Sequence, residues 1–342
     1  MSAPAQPLVL SVRDLQTEYR TGRGTVQAVR GVDLTLQRGE ILGLVGESGS
    51  GKSVTCMSII KLLKRGGHIT SGVAEFNGRD LLQLSERQLE KVRGEKIAVV
   101  FQDPMSALNP TMTVGKQIVE VLLQHRKMNK KAARARAVEL FELVRIPSAL
   151  SRIDSYPHEF SGGMRQRVMI AIALACDPDI LIADEPTTAL DVTIQRQILA
   201  LLKELRDRLG MAIILVTHDL GVIAETADRV MVLYGGQVME EAAVADLFDA
   251  PQHPYTRGLL AAIPDPREAG RPLSPVRGSP PDMRTPPLGC PFVPRCPQAM
   301  RICQTPVPLY TADDNPALRA GQRARCWRAD VAAPAFNSEA TS

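Results

Sequence analysis

The run Gly46-Glu47-Ser48-Gly49-Ser50-Gly51-Lys52-Ser53 combines three glycines, a lysine and a hydroxyl at a spacing suited to gripping a chain of phosphates. Its glycines allow backbone conformations that turn successive N–H groups inward, and a helix starting there adds its partial positive charge, so main chain does most of the holding. Lys52 then suits the β- and γ-phosphates, and Ser53 offers an oxygen to Mg²⁺. The flanks agree. The apolar strand Ile41–Val45 leads in, and a segment with apolar residues at helical spacing leads out.

A second strand, "DILIADE", ends in adjacent carboxylates. Successive strand side chains point to opposite faces, so Asp184 and Glu185 take different jobs: Asp184 in the Mg²⁺ shell, Glu185 polarising an attacking water. Gln102 closes the strand "KIAVVF" and His218 follows "MAIILVT", both at carboxyl ends, where open parallel sheets place ligands. Alone, each also reads as a surface or core residue; as a set they line one sheet edge.

The positioning elements must come from a chain of 342 residues, 44% hydrophobic, long enough for a full core in one or two domains. The net charge of +4 is uneven: residues 251–342 carry 11 Lys+Arg and 7 Asp+Glu, leaving 41 − 11 = 30 and 37 − 7 = 30 before them. A neutral body with a mildly basic tail argues against nucleic acid as a partner. The start "MSAPAQPLVL" lacks the charged region of a signal peptide, and the longest apolar run, Val168 to Cys176, falls well short of the roughly 20 residues a bilayer span needs. Of 25 prolines, 17 lie after residue 250, and so do Cys290, Cys296, Cys303 and Cys326. Cys56 and Cys176 sit in apolar helical patterns and are expected to pack. The basic run Lys127 to Arg136 reads as a solvated helix face.

With "FSGGMRQR" some 20 residues before "DILIADE", the order of motifs resembles the ATP-binding cassette (ABC) ATPases. The resemblance implies an α/β P-loop NTPase fold with an antiparallel β subdomain, a helical subdomain at about 103–165 and a cassette over 8–250. A Cys/Pro-rich extension follows at 251–342, ending in a flexible stretch. It implies an adenine-stacking role for Tyr19 and ATP contacts from Gly46, Glu47, Ser48, Gly49, Ser50, Gly51, Lys52, Ser53, Val54 and Gln102. Catalysis falls to Glu185, His218 and Lys52, Mg²⁺ to Ser53, Gln102 and Asp184, and the D-loop "ALD" ends at Asp191.

In such proteins the signature Ser161, Gly162, Gly163 and Met164 grips nucleotide bound to a second cassette. Ser161 would cap a helix whose glycine N–H groups face the γ-phosphate, where a Cβ would keep the helix end away. Met164 departs from the glutamine most signatures carry. "PQHPYTRGLLAAIP", from Pro251 to Pro264, and "QDPMSALNPTMTVG" resemble the dipeptide and oligopeptide importer branch. That implies an ATPase on the cytoplasmic face of a bacterial plasma membrane, paired with a related cassette chain, two permeases and an extracytoplasmic binding protein. Nickel and glutathione importers share the branch. A DNA-repair or ribosome-acting ABC ATPase is disfavoured by the short interval between the phosphate loop and the signature, and by the presence of one cassette. The spacing C-x₅-C-x₆-C-x₂₂-C is too loose for short zinc-knuckle pairs and leaves open a [4Fe–4S] cluster, zinc or unliganded thiols; some similar subunits carry the cluster.

Overall fold

Strands that read as unbroken apolar runs must be covered on both faces. The computed structural model, which describes residues 7–188, 190–263 and 276–329, supplies both covers. In chain order come β1 (Leu8–Thr21), β2 (Gly24–Gln37), β3 (Ile41–Val45), α1 (Lys52–Ile59), β4 (Gly67–Phe76), β5 (Arg79–Asp80), α2 (Glu86–Leu89) and β6 (Ile97–Val100). A helical stretch follows: α3 (Pro104–Ala107), α4 (Val114–His125), α5 (Lys130–Leu143), α6 (Ala149–Arg152) and α7 (Gly162–Ala173). Then come β7 (Ile180–Asp184), α8 (Val192–Leu209), β8 (Ala212–Val216), α9 (Leu220–Thr226), β9 (Arg229–Tyr234), β10 (Gln237–Ala243), α10 (Val244–Asp249) and α11 (Pro254–Ala261). The short strands β11 (Tyr310–Thr311) and β12 (Arg323–Ala324) close the sequence of elements.

Two sheets form. An antiparallel one runs β2-β1-β4-β5; the main one runs β11-β12-β10-β9-β3-β8-β7-β6, with β9, β3, β8, β7 and β6 parallel. Alternate side chains of the parallel strands feed two cores. Leu42, Leu44, Ile180, Ile182, Ile214 and Val216 join the antiparallel sheet and Cys56, Ile59 and Ile60. Ile41, Val45, Leu181, Ala183, Ile213 and Leu215 face the helical side, with Ile118, Phe141, Val168 and Leu202. The period-two pattern within continuous apolar runs is what glues both layers to one sheet. Burying one such leucine or isoleucine side chain contributes about 1.5–3 kcal/mol.

The basic run on α5 is indeed an outer face, with Arg134 paired to Asp154 and Arg136 to Glu139 and Asp177. Cys56 and Cys176 are both buried, and burial pushes both thiols up.

Among the described residues the proline-rich tail builds no separate sheet. Its β12 adds to the exposed edge of β10, pairing Glu240 with Ala324 and Glu241 with Arg323, and β11 adds to β12. Tyr255, Cys290, Phe292, Cys303 and Val307 pack in the same core as Ile41 and Val45. The buried Glu240 carboxylate accepts the N–H groups of Gln252 and His253, both at 2.8 Å, and the Gln322 side-chain amide, tying the tail to the cassette sheet. Residues 264–275 and 330–342, including Pro264 and the expected flexible end, lie outside the described residues, as do Ala189 and the first six residues.

Candidate functional site

Four carboxyl ends of parallel strands converge where the sequence placed its polar residues. β3 runs into the phosphate loop, which hands over to α1 with Gly51 as the residue before the helix. Two of its glycines are obligatory. At Gly46, φ is +149° and a Cβ would lie 2.2 Å from the Leu233 carbonyl oxygen; at Gly51, φ is +104° and a Cβ would lie 2.6 Å from the Ala28 carbonyl oxygen. Both obstacles are backbone, so no rotamer could relieve the collision.

Lys52 is buried, and its Nζ donates to the carbonyls of Gly46 at 2.7 Å and Glu47 at 3.0 Å. Burial lowers its pKa, opposed by Glu185, Asp184 and Glu47. Ser50 Oγ is buried and has no hydrogen-bond partner, an orphaned polar atom inside the loop. Glu47, Ser48 and Gly49 stand at the loop's outer turn, and Val54 follows on α1.

Across the loop, Ser53 Oγ donates to Asp184 Oδ1 at 2.7 Å. Burial raises the Asp184 pKa; the Ser53 hydrogen bond lowers it and the neighbouring Glu185 charge raises it. Glu185 lies beyond the strand with a left-handed φ of 47°. Its carboxylate accepts from Gln102 Nε2 at 3.0 Å and from Thr188 Oγ1 at 2.8 Å, while His218 Nδ1 stands 3.4 Å from its other oxygen. The two carboxylates thus part company, one on Ser53 and the other on Gln102, Thr188 and His218. Gln102 is placed on Glu185, away from the Ser53–Asp184 pair. Thr188 escaped the sequence reading; its position three residues after Glu185, in the turn after β7, was the available signal.

Hard oxygen donors 2.7 Å apart, a buried lysine, an orphaned Ser50 hydroxyl and a loop whose Gly46 and Gly51 admit no Cβ fit a magnesium nucleotide in kind. Tyr19 stands on β1 beside Gly67, in the sheet that meets α1 through a 2.8 Å contact between the Thr17 and Ser58 hydroxyls.

Among the described residues no hydrogen bond joins the signature to these groups, and its Ser161 and Gly162 are exposed. Ser161 precedes α7, and its Oγ accepts the Met164 N–H at 3.4 Å. Gly162 has room for a Cβ, with Leu190 at 3.6 Å, whereas a Cβ on Gly163 would meet Ile194 at 2.5 Å. Asp191 caps α8 by accepting the Ile194 N–H at 2.9 Å. The D-loop residue Ala189 is outside the described residues.

Cys290, Cys296, Cys303 and Cys326 line one small cavity with His253 and Trp327, and none forms a disulfide. Burial pushes the Cys290 thiol up to about 12 and Cys326 up to about 11. Among the described residues no group of three or more His, Cys, Asp or Glu side chains is close enough together to hold a metal ion. No helix among them is long and apolar enough to cross a membrane.

The family described as "ABC transporter" matches residues 29–188, and "Oligopeptide/dipeptide transporter, C-terminal region" matches 239–303. The chain is 51% identical to the dipeptide transport ATP-binding protein DppD of Bacillus subtilis, covering 94% of this chain and 95% of that one. It is 50% identical to the oligopeptide transport ATP-binding protein OppD of Escherichia coli, over 88% of this chain and 89% of that one. Among solved structures, the dimeric bacterial ABC transporter cassette MJ0796 superposes with a TM-score of 0.62 at 32% identity, covering 69% of this chain and 98% of that one.

Proposed function

This chain belongs to the ATP-binding subunits of ABC transporters, in the dipeptide and oligopeptide branch, and on that premise we propose that it hydrolyses ATP to drive uptake of small peptides. Subunits of this kind work with membrane permeases and substrate-binding proteins. The observation that carries the reading is the division of labour at the end of β7: Asp184 on Ser53, and Glu185 on Gln102, Thr188 and His218.

ATP would lie with its phosphates in the main-chain cradle of Gly46 to Ser53 and its adenine against Tyr19. Gln102, expected beside Ser53 and Asp184, is engaged on Glu185 instead. Ser53 and Asp184 would hold Mg²⁺, which when bound neutralises charge on the β- and γ-phosphates. Lys52 reaches the same oxygens. Glu185 accepts a proton from the attacking water as it lines up with the γ-phosphorus, and His218 with Gln102 fixes the carboxylate's direction. Ser161, Gly162, Gly163 and Met164 would complete the pocket of a second cassette, and Ser161 and Gly162 are exposed at the start of α7.

The cassette would sit on the cytoplasmic face of the membrane with a related ATPase chain, two permeases and an extracytoplasmic binding protein. For the tail, the four thiols suit a [4Fe–4S] cluster by donor type and by their shared cavity, although they do not yet stand at coordinating distance. Bound, the cluster would clamp the tail loops together. Anaerobic purification with iron, sulfide and zinc analysis tests this: iron and sulfide near four per chain support it, zinc or metal-free protein overturns it. The transport reading is tested by reconstituting the co-purified complex in vesicles. ATP-dependent uptake of di- or oligopeptides is expected, and uptake confined to nickel or glutathione would replace the peptide cargo.

A further inference from the structure

Three groups of Glu47, inside the phosphate loop, are each held from a different direction. Its carbonyl accepts Lys52 Nζ at 3.0 Å. Its N–H donates to the Tyr255 hydroxyl at 2.9 Å, and its carboxylate takes both arms of the Arg295 guanidinium, at 2.5 and 2.9 Å. Tyr255 and Arg295 both come from the tail, so the segment after residue 250 grips the loop that the cassette uses for phosphates.

Arg295 is built for this one contact. Its side chain is 4% exposed, and its remaining donors are spent on the Tyr234 hydroxyl at 3.0 Å and the carbonyls of Val276 at 2.8 Å and Arg277 at 2.7 Å. The guanidinium carbon lies over the Tyr234 ring at 5.6 Å and the Phe292 ring at 5.9 Å. A planar fork matched to a carboxylate fixes orientation as well as charge, which a lysine cannot do. The neighbouring residue, Cys296, lines the cysteine cavity.

We propose that Arg295 is a positioning residue for ATP hydrolysis: through Glu47 the tail sets the shape of the phosphate loop and the direction of Lys52. Arg295 touches no phosphate itself. The inference rests on the ATPase reading, and it makes the extension a working part of the nucleotide site.

The test uses the assembled complex, with Arg295→Gln, Glu47→Gln, the double variant and Arg295→Lys. Nucleotide affinity is read with a fluorescent ATP analogue, hydrolysis as kcat and KM, and stability as the thermal midpoint without nucleotide. Each single variant is expected to lose about tenfold in affinity and in kcat/KM, and the double variant no more than either single one, because both remove the same pair. Arg295→Lys should recover part of the loss. A lowered thermal midpoint with affinity and kcat/KM within about twofold of the parent would reduce Arg295 to a structural role and overturn the proposal. Effects that multiply in the double variant would overturn it as well. Affinity is read without turnover, so a parent complex that binds ATP but fails to hydrolyse it would sink the ATPase reading and leave this link to be judged on binding.

Discussion

At Glu185 the backbone leaves β7 in a left-handed conformation, φ 47°, which a residue with a Cβ adopts at a cost of about 1–3 kcal/mol. The turn persists because its N–H donates to the Val216 carbonyl at 2.9 Å and its carboxylate is held from Gln102 and Thr188. Strand alternation anticipated different directions for Asp184 and Glu185, but β7 ends at Asp184, and it is the left-handed turn at Glu185 that parts them; that turn had no sequence signal, since no glycine marks it. Replacing Glu185 with Gln keeps the shape and removes the proton acceptor. ATP affinity should stay within about twofold while turnover falls about 10²–10⁴-fold, the range such a group contributes. Single-turnover hydrolysis beside fluorescent-nucleotide binding checks it, and unchanged turnover would take Glu185 out of the chemistry.

Among elements, strand ends place the catalytic side chains and capped helix ends complete the frame. Asn129 caps α5, its Oδ1 accepting the Ala132 N–H at 2.9 Å on the outer side of the helical region. Asn129→Ala should cost about 0.5–2 kcal/mol of stability, read as a lower thermal midpoint and faster amide exchange in α5. α7 gives a sharper contrast. The sequence suggested that its glycine pair keeps a phosphate within reach, yet the structure assigns Gly163 a second duty, because a Cβ there meets Ile194 of α8 at 2.5 Å while Gly162 is clear. Gly163→Ala should therefore lower the thermal midpoint by overpacking, worth about 1–3 kcal/mol. Gly162→Ala should leave it unchanged, so any loss of turnover reports on nucleotide held elsewhere. The parallel strands were legible because their apolar runs are bounded by glycines and carboxylates. The tail was not: β11 and β12 are two residues each, too short for any periodicity, and they exist because β10 offers an open edge.

For the whole molecule, the decisive feature is that the exposed, capped end of α7 makes no hydrogen bond, among the described residues, to a nucleotide-site group of its own chain. Among the described residues Ser161 Oγ accepts the Met164 N–H and its carbonyl the Arg165 N–H, both within α7, while Lys52, Ser53, Asp184 and Glu185 cluster at the phosphate loop and the strand ends. A chain so divided should work only beside a second cassette. Ser161→Arg puts a bulky cation where a phosphate must approach a helix end. Paired with an unaltered second cassette, it should bind ATP on its own phosphate loop with affinity within about twofold of the parent, while hydrolysis at the partner's loop falls at least about 10²-fold, as when a transition-state donor is removed. Site-resolved turnover, with Glu185→Gln disabling one pocket at a time, distinguishes the two. Loss at the altered chain's own loop, with the partner's pocket intact, would mean that each cassette is catalytically complete alone.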